Sequence, residues 1–156
     1  MQLHPDLAPV QFLVGSWRGE GHGQYPTIEP FRYTEEVSYD PGPGKPFLLY
    51  TQRTRGFDGS PLHSEVGYLR MTPEGPELII AQPTGLAEVH RGALTGTSLE
   101  FQSINVEASP TAKAVREVVR HLTVEGSTLS YRLDMAYAEV PLTLHLEATL
   151  KQTERS

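Results

Sequence analysis

Short runs in which apolar and polar residues alternate at every second position recur along almost the whole chain. Between residues 128 and 137, Leu129, Tyr131, Leu133, Met135 and Tyr137 fall in one phase, and Ser130, Arg132 and Asp134 in the other. A period of two puts successive side chains on opposite faces of an extended strand, one face buried and one wet. Further β-leaning runs span 47–55, 77–82, 99–106 and 115–124. Turn signals separate them at Pro41-Gly42-Pro43-Gly44, Asp58-Gly59, Glu74-Gly75, Gly96, Glu125-Gly126 and Val140-Pro141. Only Pro5–Leu13 reads as a short helix, with Asp6 as its cap, ending near Gly15. Regular short strands with hairpin-type turns predict an antiparallel sandwich or barrel. About ten strands in up-and-down order can close on themselves, leave no exposed edge and enclose more volume than side chains fill. The pattern therefore predicts an all-β, about ten-stranded antiparallel barrel with a ligand cavity and a short N-terminal helix.

Length and charge narrow the function. The 156 residues suit one domain over 1–156, without repeats or a linker. Formal charge is 13 − 19 = −6 with no basic run, so the expected partners are small molecules, not nucleic acid or an anionic membrane. Cysteine is absent, which excludes disulfides, iron–sulfur clusters, thiolate-ligated haem and cysteine nucleophiles. No basic-then-apolar leader opens the chain, and no apolar run approaches the roughly 18 residues that span a bilayer. A soluble, cytoplasmic monomer or homodimer is expected.

Several catalytic patterns are missing. There is no HExxH or paired-histidine zinc spacing and no GxSxG nucleophile elbow. Glu35 and Glu36 alternate across a strand, so their carboxylates cannot work as a pair. Gly42–Gly44 is interrupted by proline and precedes no helix, so it is a turn and not a phosphate cradle. Two features stand out. Trp17, within Gly15-Ser-Trp17-Arg-Gly19-Glu-Gly21, reads as a plug for one end of the barrel. His145, alone among the leucines of Pro141-Leu-Thr-Leu-His145-Leu-Glu-Ala-Thr-Leu150, is an imidazole able to face a cavity. His63 is the next candidate; His4 reads as a bystander, His22 as a surface or barrel-mouth group, and His90 and His121 as exposed strand residues or ordinary hydrogen-bonding groups.

The chain resembles the nitrobindins, haem-binding ten-stranded barrels of the calycin group. Residues Gly15, Trp17, Gly19 and Gly21 match every fixed position of the family's GxWxGxG motif. Further matches follow in order: Gly23-Gln-Tyr-Pro-Thr-Ile28, Phe31-Arg-Tyr-Thr-Glu-Glu36, Gly44-Lys-Pro-Phe-Leu-Leu-Tyr50, Pro61-Leu-His-Ser-Glu65, Gly67-Tyr-Leu-Arg70, Pro83-Thr-Gly85 with Glu88, Ala112-Lys-Ala-Val115, Asp134-Met-Ala136 and His145-Leu-Glu-Ala-Thr-Leu150. The resemblance implies a non-covalent haem b near the barrel mouth, with His145 as axial iron ligand and catalytic residue. It places Thr27 and Lys113 near the haem, and Phe31, Leu62, His63 and Met135 along the pocket; some members carry methionine where Leu62 stands.

The resemblance also implies that ferric iron converts peroxynitrite to nitrate and that ferrous iron binds nitric oxide. An isomerisation consumes no net electrons, so no reductase partner or nicotinamide site is needed. Two alternatives use the same barrel: a nitric oxide sensor or store, or a carrier of lipid or another small apolar ligand. Strict alternation, however, puts His145 with Thr143, Glu147 and Thr149, opposite Leu142, Leu144, Leu146 and Leu150. The haem reading thus requires a bulge in the last strand, or a leucine face packed outward on Leu7–Leu13.

Overall fold

The computed structural model describes residues 2–153. A nine-residue 3-10 helix, Pro5–Leu13, precedes β1 (Gly15–Tyr25), β2 (Ile28–Pro41), β3 (Phe47–Arg55), β4 (Pro61–Thr72) and β5 (Gly75–Ala81). Then come β6 (Leu86–Thr95), β7 (Ser98–Ala108), β8 (Val115–Glu125), β9 (Thr128–Tyr137) and β10 (Val140–Gln152). Each strand pairs antiparallel with its neighbours in sequence, and β1 pairs with β10, so the ten strands form a closed barrel. The closing ladder runs from Trp17 opposite Gln152 to Gly23 opposite Leu146. This is the up-and-down architecture that the alternation predicts.

The helix lies where the sequence placed it, but with different geometry and a different cap. Pro9 inside it has no N–H to donate and would crowd an α-helical turn. A three-residue turn instead sets Leu7, Val10 and Leu13 on one face, all fully buried. The cap is His4, whose Nδ1 accepts the Asp6 backbone N–H at 3.1 Å; Asp6 is not the cap, and His4 is no bystander. Trp17, fully buried, donates its indole N–H to the Leu13 carbonyl at 2.9 Å and joins the helix to the barrel floor. Leu48, Leu69, Leu99, Phe101, Leu129 and Leu150 complete this apolar lower half.

One predicted turn is displaced. Val140 and Pro141 open β10, and the chain reverses at the two residues before them, where Ala138 takes φ 51°. Proline is tolerated at the start of a strand because no ladder bond depends on its missing N–H.

The glycines of β1 have a visible purpose. A Cβ on Gly21 would lie 2.4 Å from the Tyr33 ring, and one on Gly23 would lie 2.3 Å from the Phe31 ring. Both aromatic rings of β2 therefore lie directly over β1, where only a hydrogen leaves room.

At the opposite end from the helix the ladders become irregular. Register shifts fall between Gly23 and Tyr25 on β1, between Thr54 and Arg55 against β4, between Leu144 and Leu146 on β10, and between Val115 and Glu117 on β8. Bulges of this kind re-aim side chains at barrel rims. The barrel is thus packed solid at one end and remodelled at the other.

Candidate functional site

A cavity of about 360 Å³ occupies the remodelled end. Its upper wall is largely apolar, with Phe31, Leu62, Leu86, Val115, Val118, Leu133, Met135 and Leu146, and its floor is polar. A wider depression of about 580 Å³ lies elsewhere, among Glu20, His22, His121, Arg132 and Glu147. It is shallow, and its charged side chains pair with one another or with their neighbours, as His22 does with Glu147 and His121 with Glu100. The enclosed cavity is the better candidate.

Two bulges decide what faces it. On β4, His63 pairs with Thr54 and Pro61 with Arg55, so Leu62 is the extra residue, and consecutive Leu62 and His63 both line the cavity. On β10, Leu144 pairs with Asp134 and Leu146 with Leu133, leaving His145 as the extra residue. Consecutive His145 and Leu146 then line the cavity as well. Below the bulge, Ala148 and Leu150 continue the inward phase. The conflict between His145 and the leucine face is resolved by one inserted residue.

The bulge of β1 completes the arrangement. The β1–β10 ladder ends at the Gly23–Leu146 pair, and the next carbonyl, that of Gln24, meets His145 Nδ1 at 3.0 Å. A carbonyl can only accept, so Nδ1 carries the proton and Nε2 keeps its lone pair. Tyr25 and Phe31 flank the ring edge-on, with centroids 5.4 and 6.5 Å away. Burial holds the imidazole below its ordinary pKa; the Gln24 carbonyl opposes this, while His63 and Lys113 add to it. A neutral imidazole, fixed in one tautomer with a free Nε2, is the donor that a transition metal or haem iron takes.

Beneath the apolar part lies a buried polar network. Arg120 donates to both oxygens of Glu65 at 2.9 and 3.0 Å and to those of Glu88 at 3.0 and 3.1 Å. His63 Nε2 meets Glu65 at 3.2 Å, and His90 Nε2 meets Glu88 at 2.7 Å. Gln82 also donates to Glu88, and Tyr50 to Glu65. Burial pushes Glu65 upward, but Arg120 and then His63 overrule it and hold the carboxyl well below the usual carboxylate range. Glu88 is held low in the same way by Arg120 and His90. Every Arg120 donor direction that reaches the cavity floor is thus saturated by carboxylate.

Glu35 behaves differently. It has no cation in contact; burial pushes it up to about 7, against hydrogen bonds from Tyr131 at 2.6 Å and Gln52 at 3.0 Å. Among the described residues, the buried polar side-chain atoms without a partner are Gln52 Oε1 and His90 Nδ1.

Of the residues singled out from the sequence, His145, His63, Phe31, Leu62 and Met135 converge on one cavity. Thr27 and Lys113 are not in its wall. Thr27 sits exposed in the β1–β2 turn, and Lys113 lies exposed just before β8, close enough to influence His145 electrostatically. His90 is fully buried in the network. The network itself escaped the sequence reading, although a signal existed. Glu35, Glu65, Glu88 and Arg120 each occupy the inward phase of a strand, the phase shared with Tyr33, Leu69, Leu86 and Leu122. A charged residue in the apolar phase marks a buried polar site.

Comparison with known proteins gives consistent results. Residues 6–152 match the family described as "THAP4-like, heme-binding beta-barrel domain". A protein of Nocardia farcinica named peroxynitrite isomerase is 50% identical over 96% of this chain and 92% of its own length. Peroxynitrite isomerase 1 of Rhodococcus jostii is 49% identical over 94% and 82%. The crystal structure of Rv2717c from M. tuberculosis superposes with a TM-score of 0.88 at 43% identity, covering 98% of this chain and all of that one.

Proposed function

The chain belongs to the family of THAP4-like, heme-binding β-barrel domains, the nitrobindins that its motifs resemble, and from that premise we propose that it is a haem-dependent peroxynitrite isomerase with His145 as axial ligand. The activity is that named for its relatives at 44 to 50% identity. The observation that carries the residue assignment is the His145 imidazole, neutral, half-buried, held through Nδ1 by Gln24 and lining the cavity with Nε2 unengaged.

The donor set fits haem b. When bound, haem supplies an iron centre at which peroxynitrite rearranges to nitrate without net electron transfer. The remaining work falls to the chain. The Gln24 carbonyl orients His145 and raises the basicity of its Nε2. Phe31, Leu62, Val115, Val118, Met135 and Leu146 exclude water and give the macrocycle an apolar slot. Lys113, exposed just before β8, and Thr27, exposed in the β1–β2 turn, are the cation and hydroxyl that would meet the propionates. Glu65 engages His63 through Nε2, which would keep that nitrogen from competing with His145 and a small ligand for the iron. The same cavity would admit nitric oxide to ferrous haem.

The carrier alternative requires a free cation inside the barrel for a lipid carboxylate. Arg120 lines the cavity, but two carboxylates already neutralise it. Haem titration followed by absorption tests the assignment. Wild-type protein should give a sharp Soret band at about one haem per chain, and His145→Ala should lose or greatly weaken it. Ferric wild type should accelerate peroxynitrite decay to nitrate without reductant. An unchanged Soret band in His145→Ala would remove this residue from the site; equal decay in loaded and haem-free protein would remove the activity.

A further inference from the structure

We propose that Tyr33, Tyr131 and Glu35 form a proton-coupled one-electron donor to the haem, letting the protein, besides isomerisation, take up one oxidising equivalent from a peroxide-oxidised haem. The inference rests on the reading that haem fills the cavity. Tyr33 is part of the cavity wall. Its hydroxyl lies 2.8 Å from that of Tyr131, whose own O–H donates to Glu35 Oε1 at 2.6 Å. Tyr131 has a single hydroxyl proton and spends it on Glu35. With Glu35 ionised, Tyr33 is therefore the donor in the contact between the two tyrosines, its other acceptor, the Glu147 carbonyl, lying farther off at 3.5 Å. The chain has one direction, from the cavity wall inward to a carboxylate.

That direction is what oxidation of a phenol needs. A tyrosine loses an electron at modest potential only when its proton leaves with it, so a base must stand ready. A peroxide that oxidises the loaded protein takes two electrons and is reduced to water with protons from solvent; Tyr33 returns one of the two, and the other oxidising equivalent stays with the haem. Its proton passes to the Tyr131 oxygen while the Tyr131 proton passes to Glu35. The products are a neutral Tyr33 phenoxyl radical, an unchanged Tyr131 and a protonated Glu35, and charge is conserved inside the barrel.

Glu35 is suited to the role because it has no cation in contact. The groups around it are Tyr33 on its own strand, Gln52 from β3, Glu65 from β4, Arg120 from β8 and Tyr131 from β9, with Glu65 and Arg120 acting at a distance. Its proton affinity, raised to about 7 by burial, lets it gain and lose a proton near neutrality. An aromatic route reaches Tyr33 from the axial ligand: His145 to Phe31 at 6.5 Å, then Phe31 to Tyr33 at 5.9 Å between centroids. Tyr25 is nearer to His145, at 5.4 Å, but its hydroxyl donates to the Met135 carbonyl, which cannot take the proton.

The test uses full-length, haem-loaded ferric protein, with loading confirmed by the Soret band. It is mixed with hydrogen peroxide, freeze-quenched and read by electron paramagnetic resonance. The expected result is an organic radical whose hyperfine structure collapses with ring-deuterated tyrosine. The signal should fall to background in Tyr33→Phe and persist in Tyr25→Phe. Its yield should rise as pH crosses about 7, and that rise should vanish in Glu35→Gln. A fully loaded wild type without a tyrosine radical, or a signal unchanged in Tyr33→Phe, would overturn the proposal while leaving the haem assignment intact. Failure to load haem at all would instead overturn the reading on which it rests.

Discussion

Replacing Arg120 by methionine should destabilise the barrel in a pH-dependent way. Arg120, only 12% exposed, holds two carboxylates that are 5% and 2% exposed. At an effective dielectric of about 20, unit charges roughly 4 Å apart attract by about 4 kcal/mol, so the two pairs contribute about 8 kcal/mol gross. Desolvation of the ions offsets much of this, and removing one partner of a buried pair costs about 3–5 kcal/mol because a buried charge is left behind. The imidazoles of His63 and His90 stay in contact with Glu65 and Glu88, which keeps the loss within that range.

The sign with pH follows. In the wild type both carboxyls are held below their ordinary values, so their contribution is complete above about pH 4.5 and is lost only in stronger acid. Without Arg120, burial dominates and both rise. The folded state then favours the protonated forms, and the deficit grows from about pH 4.5 to neutrality. Urea unfolding at fixed haem loading should give a smaller difference from wild type near pH 4.5 than near pH 7, where about 3–5 kcal/mol is expected. Adding Glu65→Gln and Glu88→Gln should recover much of it. A loss that is equal at both pH values, or below about 1 kcal/mol at neutrality, would refute the reasoning.

Trp17→Ala should cost about 3–5 kcal/mol in chemical denaturation, the range for a fully buried large aromatic, since it also strands the Leu13 carbonyl; a loss under about 1 kcal/mol would show that Trp17 is no plug. Glu35, raised to about 7, holds its proton more tightly folded than unfolded, so wild-type stability should fall as pH rises from about 4.5 to 7 and then level off. At about 1.36 kcal/mol per pH unit the fall is roughly 3 kcal/mol, and Glu35→Gln should abolish it; parallel profiles for the two proteins would contradict the assignment.

Much of this molecule is legible from two-residue periodicity, which reports directly which face of a strand is dry. The inward phase of β9 follows from Leu129, Tyr131, Leu133 and Met135, and the barrel and its strand count from the recurrence of such runs between turn signals. The helix was legible as an element, but Pro9 changed its type, and a side chain outside it, His4, became the cap. Where the chain departs from strict alternation, periodicity fails. Nothing in the residues themselves marks Leu62 or His145 as the extra residue of a bulge, because a bulge is set by pairing with another strand. Ordered family motifs supplied what periodicity could not, a reason to expect His145 inside. The buried Glu65–Arg120–Glu88 network was missed because charged residues are normally assigned to the wet face.

The strand that carries His145 is also the last stave of the barrel, and its ladder with β1 closes the ring. The placing of His145 and closure of the ring are therefore one event. The Gln24 carbonyl that fixes the imidazole belongs to the first strand, about 120 residues earlier, so no partial barrel contains the site. A growing polypeptide pairs β1 with β2 early but must deliver β10 before β1 gains its second neighbour, and contacts of such long range form slowly. The His145–Gln24 contact is therefore confined to a closed barrel, and its formation reports that the first and last strands have met.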